Sequence, residues 1–467
     1  MSGIDGPDLV VAGAGGGLVA ALRAASRGLS VLVVERNPHF AVGNNTAMST
    51  AMVPGAGSRW QVAAGIEDSP STFVADVLAK TGGAADRRLA TALANVSAPL
   101  VEWLADSLDL PLSLVTDFPY PGHSQLRCHT VPGRAGRALL ADLIARTRAN
   151  DLIDLMVPAT LTAVCTDADG AVESVVVRGP AGEEEIPTRS VLLATNGFAA
   201  DPDMVAQHIP EIAGAIYHGS EGSQGDALRI GTALGAATAY LDSYQGHAAL
   251  AMPSATLAGW ATVMHGGFLV DHGGHRFGDE TTGYSEYAAA SLERADGRAW
   301  IILDDRVHQA CLAFQDYRDT VDSGAVKWGD DVADLAATIG LPAADLAHTL
   351  DRTSAAAAGD ADEFGRTYWE APLRPPFAAV AVRPALFHTQ GGLVVDEHAR
   401  VRTADDEPIR GLYAAGGAAA GISGHGAGGY LAGNGLLPAF GLAYLAADHV
   451  ADSLGRPDVP AQAAETN

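Results

Sequence analysis

DLVVAGAGGGLVAALRAASRGLSVLVVER, residues 8–36, decides the fold of this chain. A short apolar run, Leu9 to Ala12, is predicted as a strand. A glycine turn follows, then a helix from about Gly17 to Ser26 and a second strand from Ser30 to Glu35. Glycines in such a turn let the backbone approach a pyrophosphate, and the helix N-terminus beyond it offers free N–H groups and the positive end of a dipole. Gly13, Gly15, Gly16 and Gly17 can supply that turn, and Glu35, followed by Arg36, stands where an acid binds ribose hydroxyls. Counted from Gly13, the third fingerprint position falls on Leu18. The bland alternative is an apolar βαβ unit that binds no nucleotide.

Outward from this unit, PSTFVADVLAKTGG and GRALLADLIARTRA carry helical periodicity, and helical patterns run through Leu104. LTAVCTDADGAVESVVVRG reads as two strands about an Asp-Gly turn. Val191–Phe198 reads as a buried strand reaching a turn, and FLVDHGGHRF, Phe268 to Phe277, as hairpin-like. Composition shifts near Asp242, and the Pro-rich APLRPPF leads back to nucleotide-domain style. The tail GRPDVPAQAAETN is expected to fray.

The 467 residues, 48% of them hydrophobic, suffice for two or three domains with a large core. A formal charge of −26 opposes a nucleic-acid surface. Cys128, Cys165 and Cys311 lie far apart, with no zinc or iron–sulfur spacing, so no metal site is expected and a reduced, cytoplasmic setting fits. Few residues precede the first strand, which leaves no room for a signal peptide. No apolar run reaches membrane-spanning length, so no stable membrane insertion is expected.

GNNTAMSTAMVPGAGSRWQVAAGIEDSP, VLLATNGFAADPDMV, GSQGDALRIGTALGA, HTQGGLVVDEHARV and GLYAAGG, in that order, resemble the fumarate reductase/succinate dehydrogenase flavoprotein superfamily over nearly the whole chain. GLYAAGGAAAGISGHGAGGYLAGNGLL, Gly411 to Leu437, resembles the loop and helix that close over a flavin ring. The resemblance implies an α/β fold: a Rossmann-like FAD-binding domain (1–242 and 376–467) with an inserted α+β capping domain (243–375). It also implies FAD contacts at Asn45, Thr46, Ser49, Thr50, Ala194, Thr195, Asn196, Asp226, Gly416, Asn434, Gly435, Leu436 and Leu437. In succinate dehydrogenases a histidine just before the Thr of the first stretch carries the flavin covalently. Asn45 stands there, so FAD is expected to be non-covalent.

Carried over one position at a time, YQGHAAL and FHTQGG place the two substrate histidines of fumarate reductases at His247 and His388. The family's acid arginine and carboxylate-clamping arginine fall on Tyr284 and Tyr430, and its relay Glu and Arg fall near Trp260 and Val263. An arginine fork grips a carboxylate with two charge-assisted bonds, whereas a phenol donates one hydrogen bond to a carbonyl oxygen. A phenol with a lowered pKa can also act as a base. These substitutions resemble the 3-ketosteroid dehydrogenase branch, where the loop Tyr and a backbone N–H polarise a ketone and the other Tyr abstracts the α-proton. Tyr120 is the candidate third tyrosine, and Asn434 or Gly435 the backbone donor.

His123, Arg127 and His129 in HSQLRCH are candidates for the substrate entrance or for plain surface, and His272 and His275 have a short, metal-like spacing at a turn. The expectation is an FAD-dependent oxidoreductase moving hydride between flavin and a carbon β to a carbonyl of a small-molecule substrate. Only one dinucleotide site is visible, so electrons are expected to pass through a quinone, a dye-like acceptor or a protein partner. The rivals are a fumarate-reductase-like enzyme for a carboxylic acid and a non-catalytic flavoprotein subunit.

Overall fold

A computed structural model describes residues 6–118 and 120–457. From residue 458 on, the tail expected to fray lies outside the described residues. The opening unit forms as its pattern dictates: a strand at Leu9–Ala12, a helix at Gly16–Ser26 and a strand at Val31–Val34. These strands are buried on both faces, as their unbroken aliphatic composition requires. Val10 pairs in parallel with Leu32 on one side and with Val191 on the other. The six-stranded sheet runs in the order Arg400–Arg402, Pro408–Ala414, Val191–Leu193, Leu9–Ala12, Val31–Val34, Ile153–Met156. All its pairings are parallel except that of Arg400–Arg402.

The two ends of the chain meet on this sheet. The helix Leu436–Ser453 packs against Gly16–Ser26, and a Cβ at Gly16 would lie 2.6 Å from the Ala439 carbonyl oxygen. Arg23 and Arg27 bind Asp448 at 2.7 and 2.9 Å, tying the helices along their length. The Asp-Gly turn opens a three-stranded antiparallel meander, Thr160–Thr166, Val172–Gly179 and Gly182–Pro187. Helices stand at Pro70–Lys80 and Gly136–Arg148 as their periodicity predicts.

A second, seven-stranded sheet is organised on Phe377–Thr389, which pairs with Tyr244–Ala251, Ala299–Asp304, Ile216–Tyr217 and Val326–Gly329. The boundary expected at 375 therefore falls just before a strand whose partners on both sides belong to this second layer. The helix Tyr284–Arg294 lies on Tyr244–Ala251 at Gly246, where a Cβ would meet Ala288 at 2.8 Å. The hairpin read into FLVDHGGHRF is not formed. Phe268–Val270 pairs instead with Ala299–Asp304, and the chain turns at Asp271–His275. Arg276 is then drawn into a buried ion-pair cluster rather than a returning strand.

Candidate active site and cofactor cradle

A single cavity runs from the glycine turn to the second sheet. Its lining reaches from Gly13 in the glycine turn to His247 and His388 on the second sheet, so one space joins the nucleotide turn to these side chains. At one end the turn is built for close approach. Gly13 has φ 99°, and a Cβ there would lie 2.4 Å from the Ala194 carbonyl oxygen. Gly15 has φ 80°, with Thr46 Oγ1 2.7 Å from its would-be Cβ. Gly15 caps the helix without a side-chain hydrogen bond, which leaves the first-turn N–H groups for a ligand. Gly17 lies against Val11, 2.6 Å from its would-be Cβ, and so does the close-packing work that the fingerprint count assigned to Leu18.

Glu35 accepts from the N–H groups of Ala14 at 2.8 Å and Asn37 at 2.7 Å, so the acid pins the turn while each oxygen keeps a lone pair. Arg36 pairs with Asp226, which also binds Arg229 at 2.5 Å. Asn45 accepts from the Ser220 N–H at 2.6 Å, joining its loop to the segment before Asp226. Thr195 Oγ1 and Asn434 Oδ1 are buried with no hydrogen-bond partner, and both residues line the cavity. These orphaned atoms, the backbone cradle and the acid fit an FAD molecule laid along the cavity. Most of the predicted contacts line it, from Gly13 and Gly16 through Ser49, Thr50 and Asn196 to Gly416, Gly435 and Leu436. Leu437 does not; it is fully buried in the core.

At the other end Tyr120, Tyr284, Tyr430, His247 and His388 come together. Tyr284 opens the helix Tyr284–Arg294 and stacks on His247 with ring centroids 4.8 Å apart. Tyr430 meets Tyr284 edge-on at 5.7 Å and His388 at 5.9 Å. His388 and Gln245 are cross-strand partners, which is why one patch of sheet presents both. Tyr284 is aimed by the segment before it. Glu280, fully buried, accepts from Arg276 at 2.8 and 3.0 Å, from Arg366 at 3.2 Å and from the Leu269 N–H at 3.1 Å.

Burial sets the electrostatics. It pushes the phenols of Tyr120, Tyr284 and Tyr430 up and the imidazoles of His247 and His388 down, to about 3 and about 4. A tyrosine base would need its pKa lowered, and this pocket moves it the other way. Near neutral pH the two histidines and three tyrosines are uncharged hydrogen-bonding groups. His247 Nδ1 accepts the Ala249 N–H at 3.1 Å, so its proton sits on Nε2. Among the described residues lining the cavity, Arg36 is the only arginine or lysine, and it stands at the nucleotide end.

Other candidates fall elsewhere. Arg127 is buried between Asp68 at 2.9 Å and Asp76 at 2.5 Å, and His129 bonds Ser58 at 2.8 Å; with His123 they form structural ties rather than an entrance. No His, Cys, Asp and Glu cluster among the described residues could hold a metal, and His275 lies exposed beside Asp271 and Asp345. Gln245, Phe387 and Gln390 line the cavity without having been singled out from sequence, and Trp260, near which the family's relay residues fall, lines it too. Gln245 sits two residues before His247 on one strand, and Gln390 two residues after His388, just past the end of its strand.

A protein-family model described as "FAD binding domain" matches residues 8–436. The "NADH:fumarate oxidoreductase" of Klebsiella pneumoniae (strain 342) is 29% identical over 422 residues, covering 89% of this chain and 45% of that protein. The chain thus spans under half the length of that relative. The open conformation of a flavocytochrome c3 fumarate reductase superposes with TM-score 0.78 at 28% identity, over 97% of this chain and 79% of that one. The 3-ketosteroid-Δ4-(5α)-dehydrogenase of Rhodococcus jostii RHA1 superposes with TM-score 0.74 at 25% identity, over 97% and 98%. Among the described residues no helix is long and apolar enough to cross a membrane.

Proposed function

The chain belongs to the FAD-binding family matched over residues 8–436, and from there we propose that it is an FAD-dependent oxidoreductase interconverting an α,β-unsaturated carbonyl compound and its saturated partner. Bound FAD, held non-covalently with Asn45 in its wall, would supply the hydride donor or acceptor for the β-carbon. Everything else falls to the protein's own side chains. Tyr430 and His388 donate hydrogen bonds to the carbonyl oxygen and stabilise the negative charge that develops there. Tyr284, a neutral phenol, gives its proton to the α-carbon in the reducing direction, and the phenolate so formed takes it back in the oxidising direction. His247, stacked on Tyr284, holds that ring in place, and Trp260 and Phe387 close the apolar wall. The electron donor or acceptor is a small molecule or a protein partner.

One observation carries the reading. The described residues lining the substrate end offer uncharged hydrogen-bond donors and no guanidinium or ammonium group; the Arg134 guanidinium, 4.3 Å over the lining ring of Phe314, is paired with Asp117 and is not among them. A dicarboxylate brought there would lose its hydration without gaining a charge-assisted partner. A ketone asks only for donors. The fumarate-reductase-like reading is favoured by the pair His247 and His388 and by the named activity of the Klebsiella relative. An anaerobic bleaching assay decides between them. Purified FAD-loaded protein is mixed with saturated 3-ketosteroids, smaller cyclic ketones and succinate in parallel. Bleaching by a ketone is expected; bleaching by succinate alone removes the roles given to Tyr284 and Tyr430.

A further inference from the structure

Behind His388 lies a chain of three polar side chains. Asn434 Nδ2 donates to Ser423 Oγ at 3.0 Å, Ser423 donates to Gln390 Oε1 at 2.9 Å, and the Gln390 amide reaches His388 Nδ1 at 2.9 Å. Ser423, Gln390 and Asn434 are all buried. Nδ1 of His388 also lies 3.3 Å from the Thr389 carbonyl oxygen, a longer contact that would need a proton on Nδ1; with the sense of the 2.9 Å amide bond, Nδ1 accepts and the ring proton is left on Nε2. That atom faces the reactive end: a Cβ at Gly435 would lie 3.0 Å from His388 Nε2 and 3.4 Å from the Tyr430 hydroxyl, so the two groups converge beside this glycine.

The sense of such a chain is an all-or-none property. Turning Asn434 over would reverse every bond in sequence and give His388 an Nδ1 proton and a bare Nε2. The one atom of Asn434 without a partner is Oδ1, an acceptor, on a residue that lines the cofactor cavity. An N–H of the flavin ring system is the donor such an oxygen needs, and it would fix the direction.

We propose that Asn434, Ser423 and Gln390 form a directional hydrogen-bond relay that, with FAD bound, locks His388 as an Nε2–H donor toward the substrate oxygen. Gln390, Ser423 and Asn434 are positioning residues. The inference rests on the carbonyl-binding role given to His388 above. Its consequence is specificity: with His247 held in the same tautomer by the Ala249 N–H, both histidines donate and neither accepts. The pocket then prefers a ligand oxygen with no proton of its own, a ketone over the corresponding alcohol.

The test reads the tautomer, not turnover. FAD-loaded protein carrying ring-15N histidine is examined by long-range 1H–15N correlation, with His388→Gln identifying the signal. Wild type is expected to show His388 protonated at Nε2 alone. Gln390→Glu replaces the amide donor with an acceptor and is expected to bring a proton onto Nδ1. Ser423→Ala removes one hydroxyl and is expected to give mixed tautomers, and it serves if Gln390→Glu does not fold. A wild-type Nδ1 proton, or a tautomer indifferent to both substitutions, overturns the relay. In ketone turnover, Gln390→Glu is expected to lower kcat/KM on the order of 10²-fold. If the tautomers behave as expected while no ketone bleaches the flavin, the relay stands and the carbonyl function falls. If ketones bleach the flavin and the tautomer is indifferent, only the relay falls.

Discussion

Removing the carboxylate of Glu280 should loosen the layer that carries Tyr284 and lower the stability of the whole protein. Its two oxygens collect four donors: the Leu269 N–H at 3.1 Å, Arg276 at 3.0 and 2.8 Å, and Arg366 at 3.2 Å. None of the three ionic side chains has more than 1% of its surface exposed. Breaking such a buried pair from one side costs roughly 3–5 kcal/mol, because the partner charge is left behind. Arg276 would keep Asp362 at 2.6 Å. Arg366 would keep the carbonyls of Val263, Gly267 and Tyr368 and the face of Trp369, 3.7 Å from its guanidinium carbon. These survivors place Glu280→Ala near the lower end, about 3 kcal/mol. With a urea m-value of roughly 2–3 kcal/mol/M, the unfolding midpoint of the FAD-loaded protein should fall by about 1 M or more. Turnover should fall with it, since the turn Glu280–Thr282 leads directly into Tyr284. A midpoint within about 0.3 M of wild type would refute the view that this cluster holds the segment.

Tyr430→Phe removes one donor to the substrate oxygen and should lower kcat by roughly 10²–10³-fold with FAD retained, checked by steady-state kinetics beside the flavin absorbance. Gly15→Ala puts a Cβ at φ 80° and 2.7 Å from Thr46 Oγ1, so FAD affinity should fall at least about tenfold, read from flavin fluorescence on titration. Burial holds His123 and His129 at about 4 and His247 at about 3, while the unfolded chain takes up a proton near 6.5. Their neutral forms therefore contribute stability in full above pH 6.5, and that contribution is lost as pH falls toward 4. The thermal midpoint should drop across that window, and His129→Gln should shallow the drop.

The nucleotide half was legible because local pattern and global role coincide there. Leu9–Ala12 and the glycine turn have one compatible conformation, and the structure keeps the predicted strand bounds. Tyr284, Tyr430, His247 and His388 were legible as positions, because motif order along the chain maps onto one cavity. Their protonation was not. A lowered tyrosine pKa is a property of neighbours, and the rings packed against Tyr284 and Tyr430 are imidazoles, an indole and each other's phenols. FLVDHGGHRF misled for a related reason: the turn is real, but Arg276 finds its partners in Glu280 and Asp362, the latter 86 residues away. Arg127 and His129, polar residues on a segment with no apolar pattern, read as surface or entrance until Asp68, Asp76 and Ser58 were seen to close around them.

The most direct measurement is stopped-flow reoxidation of the chemically reduced, FAD-loaded protein, mixed anaerobically with a cyclic enone in one syringe series and with fumarate in another. A pocket of uncharged donors predicts concentration-dependent reoxidation by the enone, slowed by Tyr430→Phe, and no faster reaction with fumarate than with buffer. Rapid reoxidation by fumarate, unaffected at Tyr284 and Tyr430, would contradict it.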